Sequence, residues 1–385
     1  MFRYKFSLPM PYEKQNIEKL IDLNKQIEKS KITSLYASLP STCEMFTEFE
    51  QSRNIQFDKT DFNYWKYLFS YSLEKEVDFI YLLNSSMPFD FQNPSFNKKL
   101  EKLDKLLQEF RVVGVNKLRV ANPQLMSYLG KYYSDFNIYA STSLDYKTIS
   151  EYQNLILMHP EIKQIVPSHD VNKNFKLLKN IKHDYPNLEI ELIVNEGCMQ
   201  GCPHRSLHEN LNYDNSVNNN SDLSISNRYC ITYCSHIIKK YPFLSLTLNN
   251  NIYLWEIEEY VKIGINKFKL VGRDAYTFRF EQYLNEYLMY FKAIDNYKSI
   301  ENISINSFIN RLVQNEILSE LKTKEIKHIL PQIEHFKKYG HLCSSKCGVE
   351  CRYCYKCAEK IQKFYEKKMK AREKAPHYVP ACKIV

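Results

Sequence analysis

Gly114-Val115-Asn116-Lys117-Leu118-Arg119-Val120-Ala121-Asn122-Pro123, followed after a segment of helical periodicity by Asn137-Ile138-Tyr139-Ala140-Ser141-Thr142-Ser143-Leu144, is the stretch that decides the fold. Two short β-branched and aromatic runs, Lys117–Val120 and Asn137–Ala140, are separated by a longer segment with the period of a helix. That is the pattern of a βαβ unit with parallel strands. The same alternation extends in both directions, with further predicted strands at Ile32–Ala37, Phe79–Leu83, Gln164–Val166, Glu189–Val194, Leu244–Leu248 and Lys267–Val271. Helices are expected between them, among them Asn97–Phe110, Asn172–Asp184 and Tyr253–Ile263. Eight strands in regular alternation favour an α/β protein of the closed (β/α)8 TIM-barrel type over a six-strand doubly wound sheet, the other arrangement that βα repeats allow.

The chain has 385 residues, and an eight-fold barrel takes about 250, so a smaller appendage is expected. Residues 1–290 read as the barrel. Residues 291–385 read as a helical C-terminal region, with helices predicted at Ser307–Leu321 and Thr323–Tyr339 leading into a cysteine-rich metal site. Apolar residues make up 44% of the chain, enough for a packed core. No stretch approaches the roughly 18 uncharged apolar residues of a membrane span. The N-terminal run Met1–Pro9 lacks a signal-peptide core, so a cytoplasmic location and reduced thiols are expected. The formal charge of +9 admits an anionic partner such as RNA, although much of the excess lies at Lys367, Lys368, Lys370, Arg372 and Lys374, where a basic helix reads as a solvated face. The polar tract Asn212–Asn227 reads as a loop, either a lid over the thiols it joins or an insertion at a tolerant site.

Nine of the eleven cysteines fall into two groups. In a reducing compartment such grouping points to metal rather than to disulfides. The first group is Cys198 and Cys202, just after the predicted sixth strand, with Cys230 and Cys234 beyond the polar tract. The C-terminal rim of a barrel is where βα loops assemble active sites. If a helix starts near Tyr229, Cys230 and Cys234 share one face and reach one metal. Four thiolates from two C-x3-C pairs suffice for a [4Fe-4S] cluster and would equally serve tetrahedral zinc. Iron is preferred because zinc pairs usually use the shorter C-x2-C turn. Cys43, in the loop after the first predicted strand, is within range of the rim, but burial is the better reading for a single cysteine. His204, Arg205, His208 and Glu209 follow the first pair and offer proton transfer or anion binding.

The second group is Cys343, Cys347, Cys351, Cys354 and Cys357. Five thiols in fifteen residues call for a second iron–sulfur cluster or zinc. The inner spacing Cys347-x3-Cys351-x2-Cys354 is similar to the cluster motif of radical S-adenosylmethionine enzymes, but that motif precedes a barrel and here no barrel follows. No G-x-G-x-x-G, P-loop, G-x-S-x-G or H-E-x-x-H motif occurs.

The runs Gly114–Pro123, Tyr139–Leu144 and Gly264-Ile265-Asn266-Lys267-Phe268-Lys269-Leu270-Val271-Gly272-Arg273, in this order around the cysteine loop, resemble the barrel proteins of peptidase family U32, the collagenase-like group. The resemblance covers roughly Ile32 to Tyr276. It implies a cluster at Cys198, Cys202, Cys230 and Cys234 and a substrate-anion role for Arg273, since members related to ubiquinone synthesis and RNA modification carry iron–sulfur clusters and support oxygen-independent hydroxylation, in some cases with prephenate as oxygen source. The loop Asn195-Glu196-Gly197-Cys198 with Cys202-Pro203, and the C-terminal cysteines, depart from the usual pattern and mark a divergent branch. The expected function is therefore a cluster-dependent modifying enzyme acting on RNA, a peptide or a small carboxylate, with His204 or His208 moving protons and Arg205 and Arg273 holding an anion. The alternatives are a peptidase, and a non-catalytic iron–sulfur partner of a maturation or radical S-adenosylmethionine system.

Overall fold

The computed structural model describes residues 3–40, 43–47, 49–50, 61–85, 94–195, 201–202, 205, 250, 252, 256–271 and 276–295, together with Lys356, Glu359, Gln362, Lys363, Glu366, Lys367 and Lys370. Eight parallel strands close into a ring: β1 (Tyr4–Pro9), β2 (Ser30–Ala37), β3 (Asp78–Leu83), β4 (Lys117–Val120), β5 (Asn137–Ala140), β6 (Ile162–Ile165), β7 (Glu189–Ile193) and β8 (Lys267–Lys269). Helices alternate with them: α1 (Lys14–Asp22), α2 (Phe62–Glu74), α3 (Pro94–Val113), α4 (Pro123–Tyr132), α5 (Ile149–Met158), α6 (Phe175–Asp184), α7 (Ile257–Lys262) and α8 (Tyr276–Asp295). This is the (β/α)8 barrel that the βαβ pattern predicts.

Two corrections to the strand assignment follow. Tyr4–Pro9, passed over as a strand, is β1, and it closes the ring by pairing with both β2 and β8. The predicted strand Leu244–Leu248 lies outside the described residues, and β7 pairs directly with β8 through Glu191 opposite Lys267 and Ile193 opposite Lys269. The cysteine loop therefore follows the seventh strand, not the sixth. The helix expected to start near Tyr229 and the predicted helices Ser307–Leu321 and Thr323–Tyr339 also lie outside the described residues. Lys356, Glu359, Lys363, Glu366, Lys367 and Lys370 are helical and exposed, with Gln362 donating to Glu366 at 2.9 Å, as expected of a solvated basic face.

The core forms because each strand offers its outward residues to the helices. Phe6 on β1 packs against Phe291 of α8 at 4.9 Å between ring centroids, and Phe69 of α2 stacks on Phe79 of β3 at 4.2 Å. Helix α8 stays on the barrel to its end, where the Asp295 carboxylate accepts the backbone N–H groups of Glu28 and Lys29, each at 2.9 Å. Local sequence starts the helices: Asn122 caps α4 just before Pro123, and Thr148 with Glu151 forms a capping box on α5. Gly114 at φ +81° and Gly264 at φ +86° end α3 and α7 in the left-handed conformation that side chains resist. Among the described residues no helix is long and apolar enough to cross a membrane.

The barrel interior departs from the usual layers of branched aliphatic residues. Among the described residues a small separate cluster of buried apolar side chains there comprises Tyr36, Ile80, Leu82 and Tyr139. Several other inward positions are polar or charged and buried, among them Ser7, Ser34, Arg119, Gln164, Glu191 and Lys269.

Candidate functional site at the C-terminal rim

The loop after β6 supplies the organising residue of the rim. Ser168 opens a short 3-10 turn, His169–Val171, that carries Asp170. Asp170 Oδ1 accepts the Gly201 backbone N–H at 3.0 Å and the Asn250 side-chain amide at 3.0 Å. Its other oxygen meets Lys147 Nζ at 3.0 Å, and the Arg205 guanidinium lies 3.7 Å from Oδ1. Burial alone would raise the Asp170 pKa, but the Gly201 N–H, the Arg205 charge, Lys147 and Asn250 together hold it below the usual carboxylate range. Asp170 is therefore an ionised pin at neutral pH.

Surrounding groups repeat the same junction. The Asn172 amide donates to the carbonyls of Ile193 and Asn250, both at 2.8 Å, and Tyr260 donates to the Asn172 carbonyl at 2.6 Å. Ile252 N–H reaches the Val194 carbonyl at 2.9 Å. Asn195 exchanges two hydrogen bonds with the Val271 backbone, at 2.9 and 2.7 Å. Lys173 and Glu256 form a buried ion pair. Thus the chain leaves β7 near residue 201 and returns near residue 250 at one point on the rim, both anchored on Asp170.

Of the predicted site residues, the structure describes two at this junction. Cys202 follows the pinned Gly201, half-buried, with a free thiol. Arg205 is buried, and its N–H reaches the Cys202 carbonyl at 3.3 Å. Cys198, His204, His208, Glu209, Cys230, Cys234 and Arg273, and Cys343, Cys347, Cys351, Cys354 and Cys357, lie outside the described residues. Among the described residues no three His, Cys, Asp or Glu side chains converge as a metal group. Cys43 is buried in the core, and burial pushes its thiol up to about 11, which keeps it protonated and matches the packing reading. Beside it, Glu50 accepts the backbone N–H groups of Leu39 and Thr47 at 2.9 and 2.8 Å.

Sequence reasoning missed the charged layer beneath the rim. Arg119 on β4 reaches across to Glu191 on β7 at 2.6 Å and donates to Gln164 at 2.8 Å. Ser7 donates to Glu191 and lies 2.5 Å from Ser34. Lys269 places its ammonium 4.1 Å from the Tyr36 ring centroid, a cation–π contact, while the Tyr36 hydroxyl donates to the Leu270 carbonyl at 2.7 Å. Burial opposes ionisation of Glu191, yet Arg119, Lys269, the Ser7 hydroxyl and Lys267 keep its pKa below the ordinary value. The available signal was a charge at alternate positions of otherwise apolar strands, as in Lys117-Leu118-Arg119-Val120 and Glu189-Ile190-Glu191-Leu192.

The model of peptidase family U32 matches residues 68–329. No curated protein matches the chain. Among solved structures, the chain is similar to the U32 peptidase Mk0906 at 11% identity, covering 71% of this chain and 93% of that one with a TM-score of 0.44. It is also similar to N-acetylneuraminate lyase from Fusobacterium nucleatum at 10% identity, covering 94% and 99% with a TM-score of 0.36.

Proposed function

The chain belongs to peptidase family U32, and from that premise we propose that it is a cytoplasmic iron–sulfur enzyme that modifies its substrate at the C-terminal rim of the barrel. The observation that carries this reading is the double anchoring of one loop on Asp170. Gly201 and Asn250 bind the same carboxylate oxygen, so the intervening segment with Cys230 and Cys234 begins and ends beside Cys202. Anchoring both ends of the segment beside Cys202 lowers the loop-closure cost of bringing its two cysteines back to that thiol. Cys198, Cys202, Cys230 and Cys234 would hold a [4Fe-4S] cluster. The half-buried free thiol of Cys202 and the cationic Arg205 beside it fit an anionic thiolate cluster. When bound, such a cluster supplies Lewis acidity toward an oxygen donor or single-electron transfer.

The residues around it divide the remaining work. Arg205, held near Asp170, and Arg273 are assigned to anion binding, and His204 and His208 to proton transfer. The substrate is RNA, a peptide or a small carboxylate, with a redox protein as partner. The C-terminal cysteines hold a second iron–sulfur cluster or zinc. A peptidase is the second reading, and the family's name favours it.

Anaerobic purification with iron, sulfide and zinc analysis tests the proposal, repeated for Cys198→Ala and Cys354→Ala. The expected result is a fall in iron–sulfur absorption in Cys198→Ala and, separately, a fall in either iron–sulfur absorption or bound zinc in Cys354→Ala. Zinc alone in the wild type, or cleavage of peptides undiminished in Cys198→Ala, would overturn the cluster-dependent reading.

A further inference from the structure

Two buried side chains on neighbouring strands carry hydrogen-bond capacity that the fold does not use. Arg119 on β4 is fully buried, and its Nη2 is committed to Glu191 and Gln164. Its Nε and Nη1 have no hydrogen-bond partner among the described residues. Asn84, one residue past β3, is 9% exposed, and its Oδ1 is also without a hydrogen-bond partner among the described residues. Buried polar groups are nearly always satisfied, because a donor or acceptor taken out of water and left unpaired costs free energy. Two donors and one acceptor are therefore on offer in the barrel interior.

They lie on the same side of the sheet. Parallel pairing sets Leu82 beside Arg119, and the ladder runs past the strand ends, where the Ala121 N–H reaches the Leu83 carbonyl at 3.2 Å and the Ser141 N–H reaches the Val120 carbonyl at 2.8 Å. Alternation then turns Asn84 inward with Leu82. The same alternation exposes a step in side-chain size. On β2 to β5 the inward residues Tyr36, Leu82, Arg119 and Tyr139 are each followed, two residues nearer the C-terminal rim, by Ser38, Asn84, Ala121 and Ser141. All four are buried. An eight-strand barrel is just wide enough for side chains to fill, so four short ones on adjacent strands leave room above Arg119. In the ring β3 stands opposite β7, from which the chain runs on to Cys202.

We propose that this space is a binding site for a small neutral ligand with an amide edge, whose carbonyl oxygen accepts from Arg119 and whose N–H donates to Asn84. One carbonyl oxygen has two lone pairs, enough for both guanidinium nitrogens. A carboxylate fits less well. Glu191 already balances the Arg119 charge at 2.6 Å, so a second anion would be desolvated without a counter-charge of its own, and it brings no donor for Asn84. As an assignment of substrate class this rests on the cluster-dependent reading of the rim; as a binding site it stands without iron.

Ligand-observed NMR titration of the full chain with pyrrolidinone tests the site, against N-methylpyrrolidinone, which keeps the carbonyl but lacks the N–H, and against acetate. Saturable binding of pyrrolidinone is expected, with N-methylpyrrolidinone about tenfold weaker because the Asn84 oxygen then stays unpaired. Asn84→Ala should bind the two lactams alike, an outcome that misfolding cannot imitate. Ala121→Leu, which fills the space, should lose both while still melting cooperatively. Iron analysis of the same sample keeps the two readings apart: binding by a protein that holds no iron supports the site and removes the cluster, and iron without binding does the reverse. No saturable binding, which would leave these groups to water, equal affinity of the wild type for both lactams, a preference that survives Asn84→Ala, binding intact in Ala121→Leu, or acetate bound more tightly than pyrrolidinone would overturn the proposal.

Discussion

Arg119 and Glu191 meet across the barrel interior at 2.6 Å with side chains 0% and 1% exposed, so the centre of this barrel is held by an ion pair where branched aliphatic side chains usually sit. Arg119 Nε and Nη1 have no hydrogen-bond partner among the described residues, which makes the pair dependent on Glu191 and Gln164.

Breaking that pair from one side leaves an uncompensated buried charge. Glu191→Gln strands Arg119 beside Lys269 and should cost about 3–5 kcal/mol. The double variant Arg119→Met with Glu191→Leu should recover most of the loss, because two apolar side chains carry no desolvation penalty. Urea denaturation of the three proteins measures this. Equal losses in the single and double variants would mean that the charges themselves are not the source. Because the folded pKa of Glu191 is depressed, its contribution is present above the ordinary carboxylate pKa and disappears as pH falls through the folded value. Acid unfolding should accordingly be less steep in the double variant.

Glu50 behaves in the opposite sense. It is fully buried in the loop between β2 and α2, and burial pushes its pKa up to about 8 against the hydrogen bonds from Tyr81, Thr47 and Leu39. Between its ordinary value of 4.5 and about 8 the folded chain holds a proton that the unfolded chain has released. Stability must fall with rising pH across that window, by about 1.4 kcal/mol per unit. Glu50→Gln removes the titration. Its stability relative to wild type should therefore rise steadily between about pH 5 and pH 8. Parallel pH profiles for the two proteins would show that Glu50 stays ionised in the fold.

The alternation that made the barrel legible worked where outward and inward residues both look strand-like. Lys117–Val120 and Asn137–Ala140 were found with their observed boundaries because Leu118, Val120, Ile138 and Tyr139 carry the signal. Tyr4–Pro9 was missed because its inward positions are Lys5, Ser7 and Pro9, which read as a polar terminus until β8 arrives to pair with it. The same reason hid Arg119, Glu191 and Lys269. A charge at alternate strand positions reads as a solvent face, and only ring closure turns that face inward. Cysteine spacing was visible because thiols repeated three or four residues apart form a local pattern in the sequence. Asp170 was not, since one aspartate in a polar loop has no local pattern and its partners lie 31 and 80 residues away.

Asp170 therefore gives the sharpest test of how the rim is built. Its carboxylate joins three segments, through Lys147, Gly201 and Asn250, with Arg205 close by. Asp170→Ala leaves the Gly201 N–H and the Asn250 amide without their acceptor and should cost about 1–3 kcal/mol. Asp170→Asn keeps an acceptor oxygen for Gly201 but removes the charge facing Lys147 and Arg205, so a smaller loss is expected. Hydrogen exchange reads the consequence without reference to any metal. Amides near residues 201 and 250 should lose protection together in Asp170→Ala, since one carboxylate holds both, while those of β4 and β5 stay unchanged. In the wild type the same paired loss should appear on acidification below the usual carboxylate range, because the depressed pKa keeps the pin ionised until then. Iron retention should follow the same order, highest in wild type and lowest in Asp170→Ala. If the two ends of the segment lost protection independently, the single anchoring point would not be what gathers the cysteine loop.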